Sequence, residues 1–268
     1  MSDFIGTKLT MNLGERSYDI ILKNGALENL YQFARLDRKV AVVTDSGVPA
    51  QYAQRVADQC REARIITVPQ GEASKSFKIL ESVLQQMLDF NMGRGDLVVA
   101  VGGGVVGDLA GFAASIYMRG IDFINCPTTT LSMIDSSIGG KTAVDLGDTK
   151  NIVGAFWQPK LVIVDPDTLA TLPRRHYING LAEAVKASLL ADPELFGIFE
   201  KGDIDGQINE IIYRSLRFKK NIVEQDETER GMRKALNFGH TIGHGIEAVK
   251  GIKGRRTVGL FHGECVAL

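Results

Sequence analysis

The stretch that decides the fold is residues 97–108, LVVAVGGGVVGD, in which an apolar run leads into a glycine-rich loop. The apolar run predicts a buried strand, and residues 109–115 predict a helix. The glycines match the pattern G-x-G-x-x-G in the strand, loop and helix context that this pattern requires. Glycines at such a turn let backbone N–H groups approach a pyrophosphate at the positive end of a helix. The stretch therefore predicts an α/β fold with a nucleotide site.

An acidic residue normally accompanies this loop, and here it is out of its usual place. In a standard dinucleotide-binding unit the acid follows the loop by about 20 residues and binds a ribose hydroxyl. Asp122 lies at that distance, but it opens a predicted strand rather than closing one. Asp45 ends a strand upstream of the loop. We predict a nucleotide site of unusual order, with Asp45 on the ribose; the alternative is a purely structural glycine turn.

The first part of the chain continues the α/β pattern. Two alternating segments flank Gly14-Glu15-Arg16 and predict a β-hairpin. Strand-like runs then alternate with helical stretches, which is the βαβ pattern of a parallel sheet. The predicted strands are residues 8–13, 18–22, 40–43, 65–68, 97–101, 123–126 and 161–164, and the predicted helices are about 48–62 and 75–91.

The second part changes character after Pro173. The β-branched runs give way there to helix-period segments. These segments are about 175–191, 205–225 and 233–248. We therefore predict two domains: a nucleotide-binding α/β domain with a parallel sheet over residues 1–165, and an α-helical domain over residues 166–268.

Composition restricts the class of protein and of partner. The 268 residues carry 31 Lys and Arg against 32 Asp and Glu, with 44% hydrophobic residues. This balance is typical of a globular protein and excludes disordered, fibrous and membrane-spanning classes. A net charge of -1 argues against nucleic acid and anionic membranes as partners. We therefore expect a small-molecule substrate.

The cysteines and the two chain ends bear on location and completeness. Cys60, Cys126 and Cys265 are odd in number and lack a C-x-x-C pattern, which predicts free thiols in a reducing compartment. Residues 1–13 show no basic stretch leading into an apolar core, so we expect a cytoplasmic protein. Residues 262–268 begin an amphipathic helix and stop after one turn. We expect a chain cut inside a helical domain, with a natural frayed end as the alternative.

A metal site is predicted from His240, His244 and His262, which lie close together in the sequence. His240 and His244 are spaced i, i+4, so a helix would place both imidazoles on one face, where Zn²⁺ could bind; two solvent-facing histidines are the alternative. Glu183 is a carboxylate in the small, apolar stretch GLAEAVK, where burial would be costly without a cation. Glu183 is the third candidate ligand, with an ion pair to Lys186 as the alternative.

Several basic residues stand beside glycine or asparagine rather than at amphipathic positions. Each alone is typical of solvated surface. Together, with GGKT at 139–142 and Lys150-Asn151 in predicted polar loops, they indicate a pocket for a phosphorylated, carboxylated small molecule. The residues are Lys75, Arg119, Lys141, Lys150, Lys186, Lys219 and Arg233.

Seven motifs in order resemble the 3-dehydroquinate synthase family, from about Tyr18 to Leu268. They are GExxK from Gly71, GGGVVGD from Gly102, PTTTLSMIDSSIGGK ending at Lys141, KNIVGAFWQP from Lys150, GLAEAVK from Gly180, DETERGMRKALNFGHTIGHGIE from Asp226, and HGECVA from His262. The resemblance implies a nucleotide-binding α/β domain followed by an α-helical metal domain, similar to glycerol dehydrogenase. It also implies that relatives continue for about a further quarter of their length in helices that complete the metal domain.

The resemblance assigns roles residue by residue. It places the metal ligands on Glu183, His240 and His262, and gives His244 to the catalytic network instead. The NAD side comprises Asp45, Glu72, Lys75, Gly103, Gly104, Val105, Asp108, Thr128 and Thr129. The catalytic and substrate side comprises His244, Asp135, Lys141, Asn151, Lys186, Lys219, Arg233 and Asn237, with Arg119 reaching the pocket of a second subunit.

The resemblance implies a homodimeric lyase that uses NAD and Zn²⁺, with Co²⁺ as an alternative metal. Its reaction converts 3-deoxy-D-arabino-heptulosonate 7-phosphate into 3-dehydroquinate and phosphate through transient oxidation, phosphate elimination, reduction and aldol closure. A related sugar-phosphate cyclase, a metal-dependent polyol dehydrogenase and an inactive truncated fragment are the alternatives. Lys219 and Arg233 favour a substrate that carries a carboxylate. We expect little or no synthase activity from the 268-residue chain as it stands.

Overall fold

The computed structural model describes residues 6–239. Within these residues the contacts divide the chain into two units, and each is described by itself. The first unit holds residues 6–128 and 136–171, and the second holds residues 129–135 and 172–239. The domain boundary predicted from the sequence falls after Asp165, whereas the grouping of contacts divides the chain after Thr171.

The first unit has an α/β architecture. Within the described residues, seven strands form a sheet of order β1-β2-β9-β6-β5-β3-β4, and β7 pairs with β8 in a separate hairpin. All pairs in the large sheet are parallel except β1 with β2. The strands are β1 Thr7–Met11, β2 Tyr18–Leu22, β3 Lys39–Asp45, β4 Glu62–Val68, β5 Leu97–Gly102, β6 Asp122–Pro127, β7 Lys141–Leu146, β8 Thr149–Phe156 and β9 Leu161–Val164. The helices are α1 Ala50–Ala57, α2 Phe77–Asp89 and α3 Gly104–Ile116.

The central strands are buried on both faces, which explains their continuous apolar runs. Every residue of β5 is buried. Val98 and Ala100 face a core shared with α2 and α3, whereas Leu97, Val99 and Val101 face a core shared with α1. Each predicted strand of this sheet is present, and the predicted hairpin over residues 8–22 is confirmed.

The β7 and β8 hairpin contradicts a sequence prediction. The sequence analysis placed Lys141 and Lys150 in polar loops, but Lys141 begins β7 and Lys150 lies within β8. The sequence pattern does not predict this hairpin, because β8 is mostly exposed and its polar residues are typical of a loop. It packs on α3 at Gly111, where an added Cβ would stand 2.5 Å from Thr142 Cγ2. The glycine therefore permits the close contact between helix and hairpin.

The second unit is helical in its described part. Its helices are α4 Arg174–Ala191, α5 Pro193–Lys201 and α6 Ile208–Gln225. The predicted helices over 175–191 and 205–225 are confirmed as α4 and α6. Helix α5 is not predicted by the sequence pattern; it starts where Asp192 Oδ1 accepts the N–H of Leu195 at 3.0 Å.

The predicted helix over residues 233–248 is wrong in its described part. Met232–Asn237 forms a 3₁₀ helix instead, and the remainder of that segment lies outside the described residues. No helix within residues 6–239 is long and apolar enough to cross a membrane.

Candidate active site

The nucleotide residues of the first unit meet where the strand order of its sheet reverses. From β3 the chain passes outward to the edge strand β4 and then returns to the other side of β3 as β5. In open α/β sheets, ligands bind at the carboxyl ends of the strands at such a point. Asp45 is the last residue of β3 and Gly102 is the last residue of β5. The unusual order of acid and glycine loop is therefore compatible with one site.

The glycines at the start of α3 serve two purposes. Gly103 precedes α3 and has no side chain to cap it, so the first N–H groups of the helix face outward without an intrahelical partner. This arrangement suits a bound phosphate. Gly102 serves packing instead, because an added Cβ there would come within 2.6 Å of Val106 Cγ2. The structural alternative therefore applies to Gly102, and the anion-binding interpretation applies to the N–H groups of residues 104–106.

Asp45 is 9% exposed at the end of its strand. Its Oδ1 accepts the backbone N–H of Gly47 at 2.7 Å, which fixes the side chain in a tight turn. A carboxylate at this edge of the sheet can accept hydrogen bonds from the two hydroxyls of a ribose. Asp122, the other candidate, opens β6 and pairs with Arg38 at 2.6 Å, so it has a structural role.

Lys75 contacts three other predicted site residues of the first unit. Its ammonium is buried and lies 2.7 Å from Asp108 Oδ2 on α3 and 3.9 Å from Glu72 Oε1. It also donates a hydrogen bond to Asn151 Oδ1 on β8. The resemblance assigned Asn151 to the substrate side and the other three to the NAD side. Here all four meet around one positive charge.

The other predicted residues of the first unit take separate positions. Lys141 is exposed at the start of β7, and Val105 lies in the first turn of α3. Thr128 is buried, and its N–H donates to Gly102 O at 2.9 Å. Arg119 is exposed and has a φ of 70°, directly after Met118 with a φ of 51°. Two successive left-handed residues are uncommon outside glycine, and this turn holds Arg119 at the surface.

The second unit brings four predicted residues to one small cavity. Asp135, Glu183, Lys186 and Lys219 line it together with Leu236. Lys219 Nζ lies 2.8 Å from Asp135 Oδ1 and donates to Asp135 O at 2.7 Å. Lys186 Nζ pairs with Glu183 and donates to Leu236 O at 2.6 Å. The cavity therefore holds two buried ammonium groups, each paired with a carboxylate and a main-chain carbonyl.

Burial lowers the pKa of Lys219 from its ordinary value. The Asp135 carboxylate opposes this shift, whereas the positive charge of Arg233 reinforces it. Arg233 is 1% exposed, and its guanidinium donates to the carbonyl of Glu227. Two cations so close together favour the binding of an added anion, because the anion would relieve their repulsion.

Sequence reasoning missed Asp226, which shapes the segment carrying Arg233. Its carboxylate accepts the backbone N–H groups of Arg230, Gly231 and Arg233 at 2.8, 2.7 and 3.0 Å. An Asp followed by polar residues and Gly231 is the sequence signal for such a side-chain-stabilised turn. Asn237 is exposed, and its amide donates to Glu229 Oε1 at 3.0 Å.

Thr129 belongs to the second unit, where its hydroxyl bonds the Ser132 hydroxyl at 2.8 Å. Glu183 forms the ion pair with Lys186 that the sequence analysis held as its alternative to metal binding. The other predicted ligands and the catalytic histidine, His240, His262 and His244, lie outside the described residues. Within residues 6–239 no three His, Cys, Asp or Glu side chains are grouped so that they could hold a metal ion. The metal ligand set remains a prediction.

Comparison with known proteins identifies the family. The model of the 3-dehydroquinate synthase N-terminal region matches residues 65–179, and that of the 3-dehydroquinate synthase C-terminal region matches residues 180–268. The 3-dehydroquinate synthase of Caulobacter vibrioides is 45% identical, over 96% of this chain and 72% of that protein. The chain belongs to the 3-dehydroquinate synthase family. The resemblance seen in the sequence motifs is thereby confirmed.

Two solved structures are similar to this chain in fold. The 2-epi-5-epi-valiolone synthase ValA from Streptomyces hygroscopicus, solved with NAD⁺ and Zn²⁺ bound, matches with a TM-score of 0.80 and 30% identity, over 95% of this chain and 73% of that one. A probable glycerol dehydrogenase from Sinorhizobium meliloti matches with a TM-score of 0.62 and 17% identity, over 92% and 73%. The second match shows the fold alone. The predicted fold class is confirmed.

Proposed function

We propose that this chain carries the residues of a site for the conversion of 3-deoxy-D-arabino-heptulosonate 7-phosphate into 3-dehydroquinate and phosphate, with NAD and a divalent metal as cofactors. The observation that carries the proposal is the cavity of the second unit, where Lys186 and Lys219 are buried beside Asp135 and Glu183. Such a cluster offers charged groups that could bind the charged groups of a substrate. The identity to curated 3-dehydroquinate synthases supports the same reaction.

The first unit fits NAD. The outward N–H groups of residues 104–106 would hold the pyrophosphate, and Asp45 would accept hydrogen bonds from the adenine ribose. Lys75, held by Asp108, would present positive charge to the same cofactor. When bound, NAD supplies a temporary hydride acceptor that is regenerated in each turnover. The geometry at the reversal of the sheet supports this assignment.

Glu183, with His240 and His262, would hold the metal, Zn²⁺ or Co²⁺. The Glu183 carboxylate lies beside the Lys186 ammonium in the small cavity of the second unit. When bound, the metal would supply a Lewis acid for the hydroxyl oxygen on the substrate carbon that is oxidised and then reduced. The donor set of one carboxylate and two imidazoles is typical of catalytic zinc.

The remaining residues bind and orient the substrate. Lys219 and Arg233 are proposed to hold its carboxylate, because each is buried and the charge of one lowers the pKa of the other. Lys141, Asn151 and Arg119 are proposed to hold the phosphate, whose own oxygens can take the proton that is lost during elimination. Asp135 would keep the Lys219 ammonium in place, and His244 would belong to the catalytic network.

A second candidate function is a sugar-phosphate cyclase that acts on a substrate without a carboxylate. The match to the 2-epi-5-epi-valiolone synthase structure favours it. Identity is lower there, 30% against 45%, and Lys219 and Arg233 would then have no substrate carboxylate to bind. A metal-dependent polyol dehydrogenase is supported by fold alone.

The test is an assay of phosphate release from the seven-carbon keto-acid phosphate, with NAD and Zn²⁺ added. We expect phosphate to be released while no NADH accumulates, because each hydride is returned to the product. NADH accumulation would indicate a dehydrogenase instead. Phosphate release from a seven-carbon sugar phosphate that lacks the carboxylate, and not from the keto acid, would indicate the second candidate.

Oligomeric state and location belong to the same proposal. A homodimer is supported by Arg119, which is exposed beside exposed Ile116 and Met118. Such a surface suits a partner subunit that receives the guanidinium. A cytoplasmic location is supported by Cys60 and Cys126, which are free thiols.

A further inference from the structure

The hairpin of β7 and β8 has an irregular register beside Asn151. The residues on either side of Asp145 pair with Val153 and Thr149. Asp145 alone therefore faces the three residues 150–152. Bulges of this kind bend a strand and re-aim its side chains, and they are over-represented beside active sites. Asn151 lies at the centre of the bulge with a φ of 55°, in the left-handed region.

Asp145 holds the main chain at two of the predicted site residues. Its Oδ1 accepts the N–H of Asn151 at 2.8 Å. Its own N–H donates to Lys75 O, also at 2.8 Å. The side chains of Asn151 and Lys75 meet each other in turn. These contacts form a closed ring. Asp145 bonds the backbones of Lys75 and Asn151, and the bond between the Lys75 ammonium and the Asn151 side-chain amide closes the ring.

We propose that Asp145 is a positioning residue that sets the direction of the Lys75 ammonium toward the cofactor. The proposal rests on the proposed function, because it takes Lys75 to be an NAD residue. An ammonium has three N–H donors, and Asp108 and Asn151 accept two of them. The direction of the third donor is then set by the first two. Without the Asp145 carboxylate, the Asn151 backbone loses the bond that holds it in a left-handed conformation, and its amide leaves Lys75.

A purely structural role is the competing explanation, in which Asp145 stabilises the bulge and nothing more. The two explanations differ in what a conservative change does. In Asp145→Asn the amide oxygen keeps the length and the acceptor, so the ring survives. In Asp145→Ala the acceptor is gone. Asp148 in the turn of the same hairpin is exposed, and Asp148→Ala is the matched control for loss of one negative charge.

The first measurement is the dissociation constant of NAD by titration calorimetry, with the melting temperature recorded for each variant. We expect Asp145→Ala to weaken NAD binding about tenfold, the scale of one lost hydrogen bond to a charged group. Asp145→Asn should stay within about twofold of wild type, and Asp148→Ala should equal it. An Asp145→Ala variant that melts earlier but binds NAD as tightly as wild type when folded would establish the purely structural role and overturn the proposal.

The second measurement asks whether Asp145 acts through Asn151. Asn151→Gly removes the amide and keeps a residue suited to a positive φ. If Asp145 acts through this amide, the double variant Asp145→Ala/Asn151→Gly binds NAD no more weakly than Asn151→Gly alone. Losses that multiply would overturn the proposal. A wild-type chain that binds no NAD would overturn the proposed function as well, so the two failures are distinguishable.

Discussion

The two units of this molecule bury lysine ammonium groups in different ways. Lys75 in the first unit is held by Asp108 and Asn151, which come from a helix and a hairpin remote from it in the sequence. Lys186 and Lys219 in the second unit each combine one carboxylate with one main-chain carbonyl. A buried cation is costly unless it is paired and hydrogen-bonded, and both arrangements satisfy this condition.

The difference lies in what the partners are needed for. The partners of Lys75 belong to a ring of hydrogen bonds that fixes its direction. The carboxylates of the second unit have second roles in the proposal, since Glu183 is a predicted metal ligand and Asp135 a predicted substrate-side residue. The first arrangement suits a cofactor that is bound the same way throughout, and the second suits a site whose charges change partners when metal and substrate bind.

The largest effect is expected from Glu183→Gln, which should impair the reaction in the second unit and leave NAD binding by the first unit unchanged. Loss of the metal carboxylate should lower phosphate release by about a thousandfold or more, because Lewis-acid stabilisation is worth several kcal/mol. NAD affinity, measured by calorimetry, should not change. Glu200→Gln on α5 is the exposed control. Equal zinc binding by Glu183→Gln and wild type would remove Glu183 from the ligand set.

Lys219→Met should lower kcat/KM for phosphate release by about ten- to a hundredfold, since it removes a charge-assisted contact to the substrate. The neighbouring Lys220→Met is the matched control, because it also breaks an ion pair, to Glu224 at 2.8 Å, but lines no part of the cavity. Similar losses in both variants would show that the effect comes from helix stability rather than from the site.

Lys75→Met should affect both stability and cofactor binding. The carboxylate of Asp108 and the amide of Asn151 lose their shared donor, which should lower the free energy of unfolding by about 2 kcal/mol in a urea titration. NAD affinity should fall in the same variant. The exposed Lys78→Met on α2 serves as control. A Lys75→Met variant as stable as wild type would contradict the proposed difference between the two units, because the ring of hydrogen bonds would then not depend on the Lys75 ammonium.

Asp45→Ala should weaken NAD binding by about 1 to 3 kcal/mol, the value of lost charge-assisted hydrogen bonds to a ribose. The fold should be unaffected, because Asp45 contributes one local bond to Gly47. Asp58→Ala, exposed at the end of α1, is the control. Unchanged affinity in calorimetry would place the ribose elsewhere.

The smallest effect concerns the thiols of the first unit, which report on this unit independently of the second. Burial raises the pKa of Cys60 to about 11, and burial also raises the pKa of Cys126. Below pH 11 Cys60 is mostly protonated, so alkylation should be slow at pH 8 and should accelerate as the pH rises toward 11. Cys126 should react only when the sheet opens. Peptide mass spectrometry would follow the two sites separately, and rapid labelling of Cys126 at pH 8 would contradict its burial.

Much of the first unit was predictable because its strands are apolar runs bounded by turns. Leu161–Val164, for example, is a strand with the predicted limits. The β7 and β8 hairpin was not predictable, because exposure and the bulge at Asp145 remove the alternation on which strand prediction depends. The 3₁₀ segment Met232–Asn237 departs from a predicted helix, and the bonds of Asp226 to the backbone before it shape its start.

The site residues also fall into those that the sequence predicts and those that it does not. The family motifs identify Lys75, Asp108, Lys186 and Lys219 in the sequence. The role of Asp145 depends instead on which backbone groups lie near it, and those contacts come from the register of a hairpin. The sequence signal available was an aspartate within the otherwise apolar run TAVDL.

The missing side chain at Gly111 has a mechanical consequence. The hairpin rests on α3 at this point, and the same hairpin carries the amide that steers Lys75. A single methyl group there would push the hairpin away from α3 without altering any group that contacts a ligand. A substitution at this packing position would therefore change cofactor affinity. Directed evolution could adjust the affinity there while every chemical group of the site stays the same.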